Sequence, residues 1–221
     1  GSTHLALDLP IGPTAKVRST ADADSLGSHL LNVAQALGLD ARVVRSDGRQ
    51  PVGRGIGPAL EARDVLSVLR GTPTAPPDLK SRAVALAGII LELGGAAAEG
   101  EGIGLAETTL SSGQAWVKFQ AICEAQGGMR TPPRSAYQQP VLAERIGLVV
   151  SIDNRRLAKA AKLAGAPDAK AAGLELHTPL GHEVEKKMPL FTLHAETRGE
   201  LAYALEYIEN HPTIIGIGEA P

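Results

Sequence analysis

The chain opens with a strand, a helix and a second strand, and that order restricts the fold more than any other feature. Residues 3–9 (THLALDL) alternate and favour extended backbone, which reads as a strand. Asp24 or Ser25 is placed to cap a helix carrying Leu26, Leu30, Leu31, Val33, Ala34 and Leu37, and Gly38 ends it. Residues 41–45 read as the second strand. Two strands joined by one helix close as a right-handed crossover of a parallel sheet. The expected class is therefore α/β at the start of the chain.

Residues 48–64 (GRQPVGRGIGPALEARD) follow, a loop punctuated by glycine and proline that runs into an amphipathic helix. Gly53, Gly55 and Gly57 permit backbone conformations closed to other residues. Pro58 stands at a first helical position, where no amide donor is needed. Such a loop can aim several carbonyls at a hard cation, with Asp64 as the carboxylate. The plainer reading is a helix start with Glu61 and Asp64 favoured at the positive end of the dipole.

Helices are expected over 59–69, over 79–93 up to Gly94-Gly95, and over most of 102–125. Leu105, Leu110, Trp116, Phe119, Ile122 and Cys123 would form the buried side of the last. Residues 126–139 hold Gly127-Gly128 and Pro132-Pro133 in a polar stretch, the strongest boundary signal in the chain. Three regions follow: a first domain over 1–128, a linker over 129–140 and a second domain over 141–221. In the second, 141–152 reads as a strand with a turn near Gly147, 154–164 as a helix closed by Gly165, and 174–177 and 188–194 as short strands. A helix over 197–208 and a strand over 213–217 complete a small α+β domain.

Composition excludes several classes of function. The chain has 221 residues, 43% hydrophobic and 21% charged, with a formal net charge of −2. Neither a basic nucleic-acid surface nor a polybasic membrane patch is present. Aromatic residues are only 3%, too few for a base-stacking platform. No apolar run reaches membrane-spanning length. One cysteine, Cys123, leaves no internal disulfide or multi-cysteine zinc site and suits a reducing compartment.

Individual chemistry candidates are sparse. The loop 10–16 (PIGPTAK) follows a strand and offers Gly12, Thr14 and Lys16, but its spacing matches neither nucleotide-binding fingerprint. Asp8 lies within an apolar strand, so it must be paired, either at a ligand site or holding loop amides. The histidines His4, His29, His177, His182, His194 and His211 lack zinc-site spacing. Ser111, Ser112 and Cys123 have no identifiable base. The segment 181–195 looks like a carrier-domain hairpin around Lys187-Met188, but Pro189 follows at once where an exposed attachment turn is needed.

Seven segments carry a family resemblance: 2–10 (STHLALDLP), 50–64 (QPVGRGIGPALEARD), 86–94 (LAGIILELG), 124–128 (EAQGG), 152–155 (IDNR), 164–167 (AGAP) and 172–176 (AGLEL). Taken in order, the chain resembles the C-terminal portion of the thymidine phosphorylase and AMP phosphorylase family. That resemblance implies a partial parallel-sheet α/β phosphorylase domain followed by a small, hammerhead-like pyrimidine nucleoside phosphorylase C-terminal domain. It implies phosphorolysis, in which inorganic phosphate attacks the anomeric carbon of a nucleoside or nucleotide and the base departs. The family's phosphate loop and base-holding residues lie upstream of the opening strand, so no catalytic or substrate-binding residue is expected here.

By the same resemblance, a potassium or other cation falls to the carbonyls of Val52 and Gly55 and the carboxylate of Asp64, where family examples carry Glu. Phosphate is the implied co-substrate, with no organic cofactor. A cytoplasmic homo-oligomer acting on a nucleoside, without nucleic-acid or membrane partners, is the implied setting. AMP phosphorolysis and a non-catalytic binding or assembly module are the competing readings.

Overall fold

The computed structural model describes residues 1–219, with seven helices and nine strands among them. In chain order these are β1 (His4–Ile11), α1 (Thr20–Ala36), β2 (Asp40–Asp47), β3 (Gly55–Ile56), α2 (Pro58–Arg70), α3 (Pro77–Leu93), α4 (Gly102–Ser111) and α5 (Gln114–Ala125). Then come β4 (Tyr137–Leu142), β5 (Gly147–Ile152), α6 (Asn154–Leu163), β6 (Gly173–Leu176), β7 (Glu183–Val184), β8 (Pro189–Ala195), α7 (Arg198–Glu209) and β9 (Ile215–Gly218). They form two compact units, Gly1–Gly48 with Leu66–Arg130, and Arg49–Val65 with the chain from Thr131 onward.

In the first unit β1 and β2 pair in parallel, from His4 opposite Asp40 to Ile11 opposite Asp47, with α1 as the crossover. The expected cap is displaced. Ser19, extended at φ −134°, accepts the Asp22 amide at 3.1 Å, so α1 starts before Asp24 and Ser25. Asp24 pairs instead with Arg45 of β2. Helices α3 and α4 cross closely at Gly88 and Gly102, where a Cβ on Gly102 would come within 2.1 Å of the Gly88 carbonyl. Glu92 of α3 accepts from the amides of Gly100 at 3.0 Å and Gly102 at 3.1 Å, and from Arg42 at 3.1 Å. It thereby satisfies donors that the start of α4 leaves open. The Gly102 amide, helped by Arg42 and Gly100, holds the Glu92 carboxyl below its ordinary value against the opposing effect of burial.

One expectation holds and one fails in this unit. Residues 102–125 are mostly helical, as two helices divided after Ser112 by Gly113, whose φ of 79° suits glycine. The supposed buried side is not buried, since α5 has no buried residue and Leu105 and Ile122 are exposed. Trp116 lies against Phe119 and under the Arg70 guanidinium, 4.5 Å from the ring centroid.

In the second unit two antiparallel sheets form, in orders β3-β6-β8-β4 and β7-β5-β9. The expected strand over 141–152 therefore resolves into β4 and β5, which join different sheets. Asp153 caps α6 by accepting from the amides of Arg155 and Arg156. Thr197 and Glu200 form a reciprocal capping box at the start of α7. The core gathers Leu157, Ala160 and Ala161 of α6, Leu174 and Leu176 of β6, Phe191 and Leu193 of β8, and Ala204 and Ile208 of α7. Residues 49–65, which the sequence reading placed with the first domain, pack here through β3.

Candidate functional site

The segment 49–65 is built onto β6. The Leu176 amide donates to the Arg54 carbonyl at 2.8 Å, and Gly55 lies opposite Glu175. Only that one bond joins Arg54 to Leu176, and the Arg54 amide turns instead to the same side as the Gly55 amide. Asp64 sits on that side. Its Oδ2 accepts from the amides of Arg54 and Gly55, each at 2.7 Å.

Glu61 accepts from the Gly57 amide at 2.9 Å, and Gln50 accepts from the Leu180 amide at 2.7 Å. Gly57, at φ 135°, lies so close to Ala172 that a Cβ would come within 2.4 Å of its carbonyl. Gly53, at φ 80°, turns the chain just after Val52.

Of the three residues expected at a cation, Gly55 and Asp64 are therefore brought together, and Val52 lies in the bend leading to them. The carboxylate already does one job, anchoring two loop amides through a single oxygen. Glu61 lies in the first turn of α2, as the plainer reading expects, whereas Asp64 lies beyond that turn and accepts from the amides of Arg54 and Gly55 ahead of the helix.

A second polar group lies on the same sheet and was not identified from sequence. Glu175 of β6 is opposite Thr192 of β8, and Gly173 is opposite His194. Alternation puts Glu175, Thr192 and His194 on the face away from Leu174, Phe191 and Leu193. His194 is 5% exposed; its Nδ1 lies 3.0 Å from Ser135 Oγ. Its buried Nε2 has no hydrogen-bond partner among the described residues, with Glu175 Oε2 3.6 Å away. His177 Nε2 lies 2.7 Å from Thr192 Oγ1.

His194, aided by His177 and Arg54, holds the Glu175 carboxyl below its ordinary value despite desolvation. Desolvation lowers His177, with His194 and Arg54 acting in the same sense against Glu175. A strand pairing between β6 and β8 was the only signal that could have found this group.

The other candidates are dispersed. Asp8 is paired with Arg82 and bonded to Ser46. Lys16 is exposed on the loop after β1. Among the described residues no group of three or more His, Cys, Asp or Glu side chains is placed to hold a metal, and no helix is long and apolar enough to cross a membrane. A cavity of about 480 Å³ opens beside β4, α7 and β9 over Phe191, Leu205, Ile208 and Ile215. Arg145 and His211 at its edge are turned to the backbone carbonyls of Ile217 and Tyr207.

Comparison with known proteins gives this geometry a context. A family profile described as the pyrimidine nucleoside phosphorylase C-terminal domain matches residues 148–214. A protein of Acidovorax sp. (strain JS42) named "Putative thymidine phosphorylase 1" is 58% identical over 219 residues, covering 99% of this chain. One from Polaromonas sp. (strain JS666 / ATCC BAA-500), named "Putative thymidine phosphorylase", is 60% identical over 219 residues, again 99% of this chain. A protein of the same name from Sphingopyxis alaskensis is 61% identical over 209 residues, 95% of this chain. The chain spans 43% of the length of the first two relatives and 40% of the third. It belongs to the thymidine phosphorylase and AMP phosphorylase family, of which it is a C-terminal portion.

Proposed function

We propose that this chain is the scaffold portion of a thymidine phosphorylase, which converts thymidine and inorganic phosphate to thymine and 2-deoxyribose 1-phosphate. The observation that carries this reading is identity near 60% across almost the whole chain with proteins of that name. The phosphate- and base-gripping groups belong to the polypeptide that the relatives have beyond this portion. Catalysis by positioning and charge stabilisation then divides between the two. The second unit is the hammerhead-like C-terminal domain, and the native enzyme is a cytoplasmic homodimer.

The carbonyls of Val52 and Gly55 and the carboxylate of Asp64 hold a monovalent cation, with the remaining ligands from outside this portion. A bound cation supplies fixed positive charge near the phosphate. Potassium added to the full-length protein should raise its thermal midpoint more than the same ionic strength of a bulky organic cation, and Asp64→Ala should remove that difference.

The deciding experiment is a substrate panel of thymidine, uridine and AMP with phosphate, run on the full-length protein. Thymidine phosphorolysis is expected. AMP as the preferred substrate would move the assignment to AMP phosphorylase. No turnover of any of the three would leave the binding or assembly module as the better reading.

A further inference from the structure

The geometry points to Arg82 as a positioning residue for phosphorolysis, acting through Asp8 and the Asp47 carbonyl in the carboxyl halves of β1 and β2. This inference rests on the phosphorylase reading above. Arg82, on α3, donates through one nitrogen to Asp8 Oδ2 at 2.8 Å and through another to the Asp47 carbonyl at 2.8 Å. Ser46 donates to the other oxygen of Asp8 at 2.5 Å. One guanidinium therefore joins a helix to Asp8 in the second half of β1 and to Asp47, the last residue of β2. Both carboxylate oxygens of Asp8 are occupied, so its part is to orient rather than to react.

The strand exits are tied to each other as well. Gly48 donates to the Ile11 carbonyl at 2.8 Å, and a Cβ on Gly48 would stand 3.0 Å from the Ile11 amide nitrogen. The loop after β1 is closed by bonds from Gly12 to Val17 and from Ala15 to Gly12, leaving Lys16 exposed.

Cohesion alone does not explain an ion pair here. The Arg82 and Asp8 side chains are only 19% and 22% exposed. Apolar residues of similar volume would fill that space without the desolvation cost of two charges. What they would lack is direction, because a planar guanidinium fixes two acceptors relative to each other. The two acceptors lie in the carboxyl halves of parallel strands, toward the side on which open α/β sheets bind ligands. Small displacements of positioned groups cost large factors in rate.

The test uses the full-length protein, with kcat and KM for thymidine and for phosphate measured well below the thermal midpoint. Arg82→Gln should lower kcat/KM on the order of tenfold or more. Arg82→Lys, whose ammonium lacks the rigid two-pronged fork, should recover part of that loss. Ser46→Ala, which removes one bond to Asp8, should lower kcat/KM by roughly two- to fivefold.

A purely structural role would lower the thermal midpoint but leave kcat and both KM values unchanged in Arg82→Gln, and that result would overturn the inference. If Arg82→Gln does not fold, unchanged kinetics in both Arg82→Lys and Ser46→Ala overturn it equally. A wild-type protein without phosphorolysis would overturn the functional reading and this inference with it, a result distinct from an active wild type with indifferent variants.

Discussion

The two units bury their apolar residues very differently. The second has a contiguous core in which Leu157, Leu174 and Leu193 are fully buried and Phe191 is 1% exposed. The first has scattered small buried residues, chiefly Ala23, Ala34, Ala106, Leu9 and Val84. It leaves Val33, Leu37, Ile103, Val117 and Ile122 exposed. Its sheet has only the two strands β1 and β2. A two-stranded sheet is too small to bury a large apolar face. The contrast is that the contiguous core of the described residues lies in the second unit, while the first holds its elements together with dispersed contacts.

The largest effect that could break this comparison is core truncation in the second unit. Phe191→Ala should cost about 3–5 kcal/mol, read as lost amide-exchange protection across β6 and β8. A cost near zero would mean that the core is not load-sharing as its burial implies. Next are the helix caps. Removing the Thr197 side chain should cost about 1 kcal/mol, and Ser19→Ala a similar amount or less, since Ser19 caps α1 without a reciprocal partner. Thermal melts of the two variants compare the units directly.

The response to acid should also differ. His177 has its folded pKa lowered, so its contribution is present above the ordinary value of 6.5 and is lost as pH falls. Glu175 is likewise lowered, and its contribution is lost as pH falls below 4.5. In the first unit the corresponding group is Glu92, lost only below 4.5. The second unit should therefore begin to weaken first on acidification, and His177→Gln should remove that early step. Equal onset in both units, followed by amide exchange, would contradict it. The smallest effect is at Val117, 64% exposed, where alanine should change stability by less than about 0.5 kcal/mol while reducing self-association in light scattering.

The readability of the sequence follows the same division between local and distant causes. The opening crossover was legible because residues 3–9 and 41–45 alternate and the intervening helix carries its apolar stripe. The start of α1 was misplaced because Asp24 and Ser25 have the right chemistry for a cap, and only the extended backbone of Ser19 decides between them. The α5 stripe of Trp116, Phe119 and Ile122 is truly amphipathic, but periodicity reports a face and not what covers it.

The attachment of 49–65 to the second unit was illegible, since it depends on Gly55 meeting Glu175 across a long stretch of chain. For the same reason the proximity of Glu175 to His194 and the bonds of Asp8 to Arg82 and Ser46 left no trace at any single position. The neighbourhood of Gly55 and Asp64 was anticipated through the family resemblance; that Asp64 anchors two loop amides was visible only in three dimensions.

Thymidine phosphorolysis, assayed side by side for the 221-residue chain and for the full-length protein at equal concentration, tests the division of labour most directly. Turnover in the full-length protein and none from the isolated chain is the expected result. Phosphorolysis by the isolated chain, or an inactive full-length protein, would contradict the account.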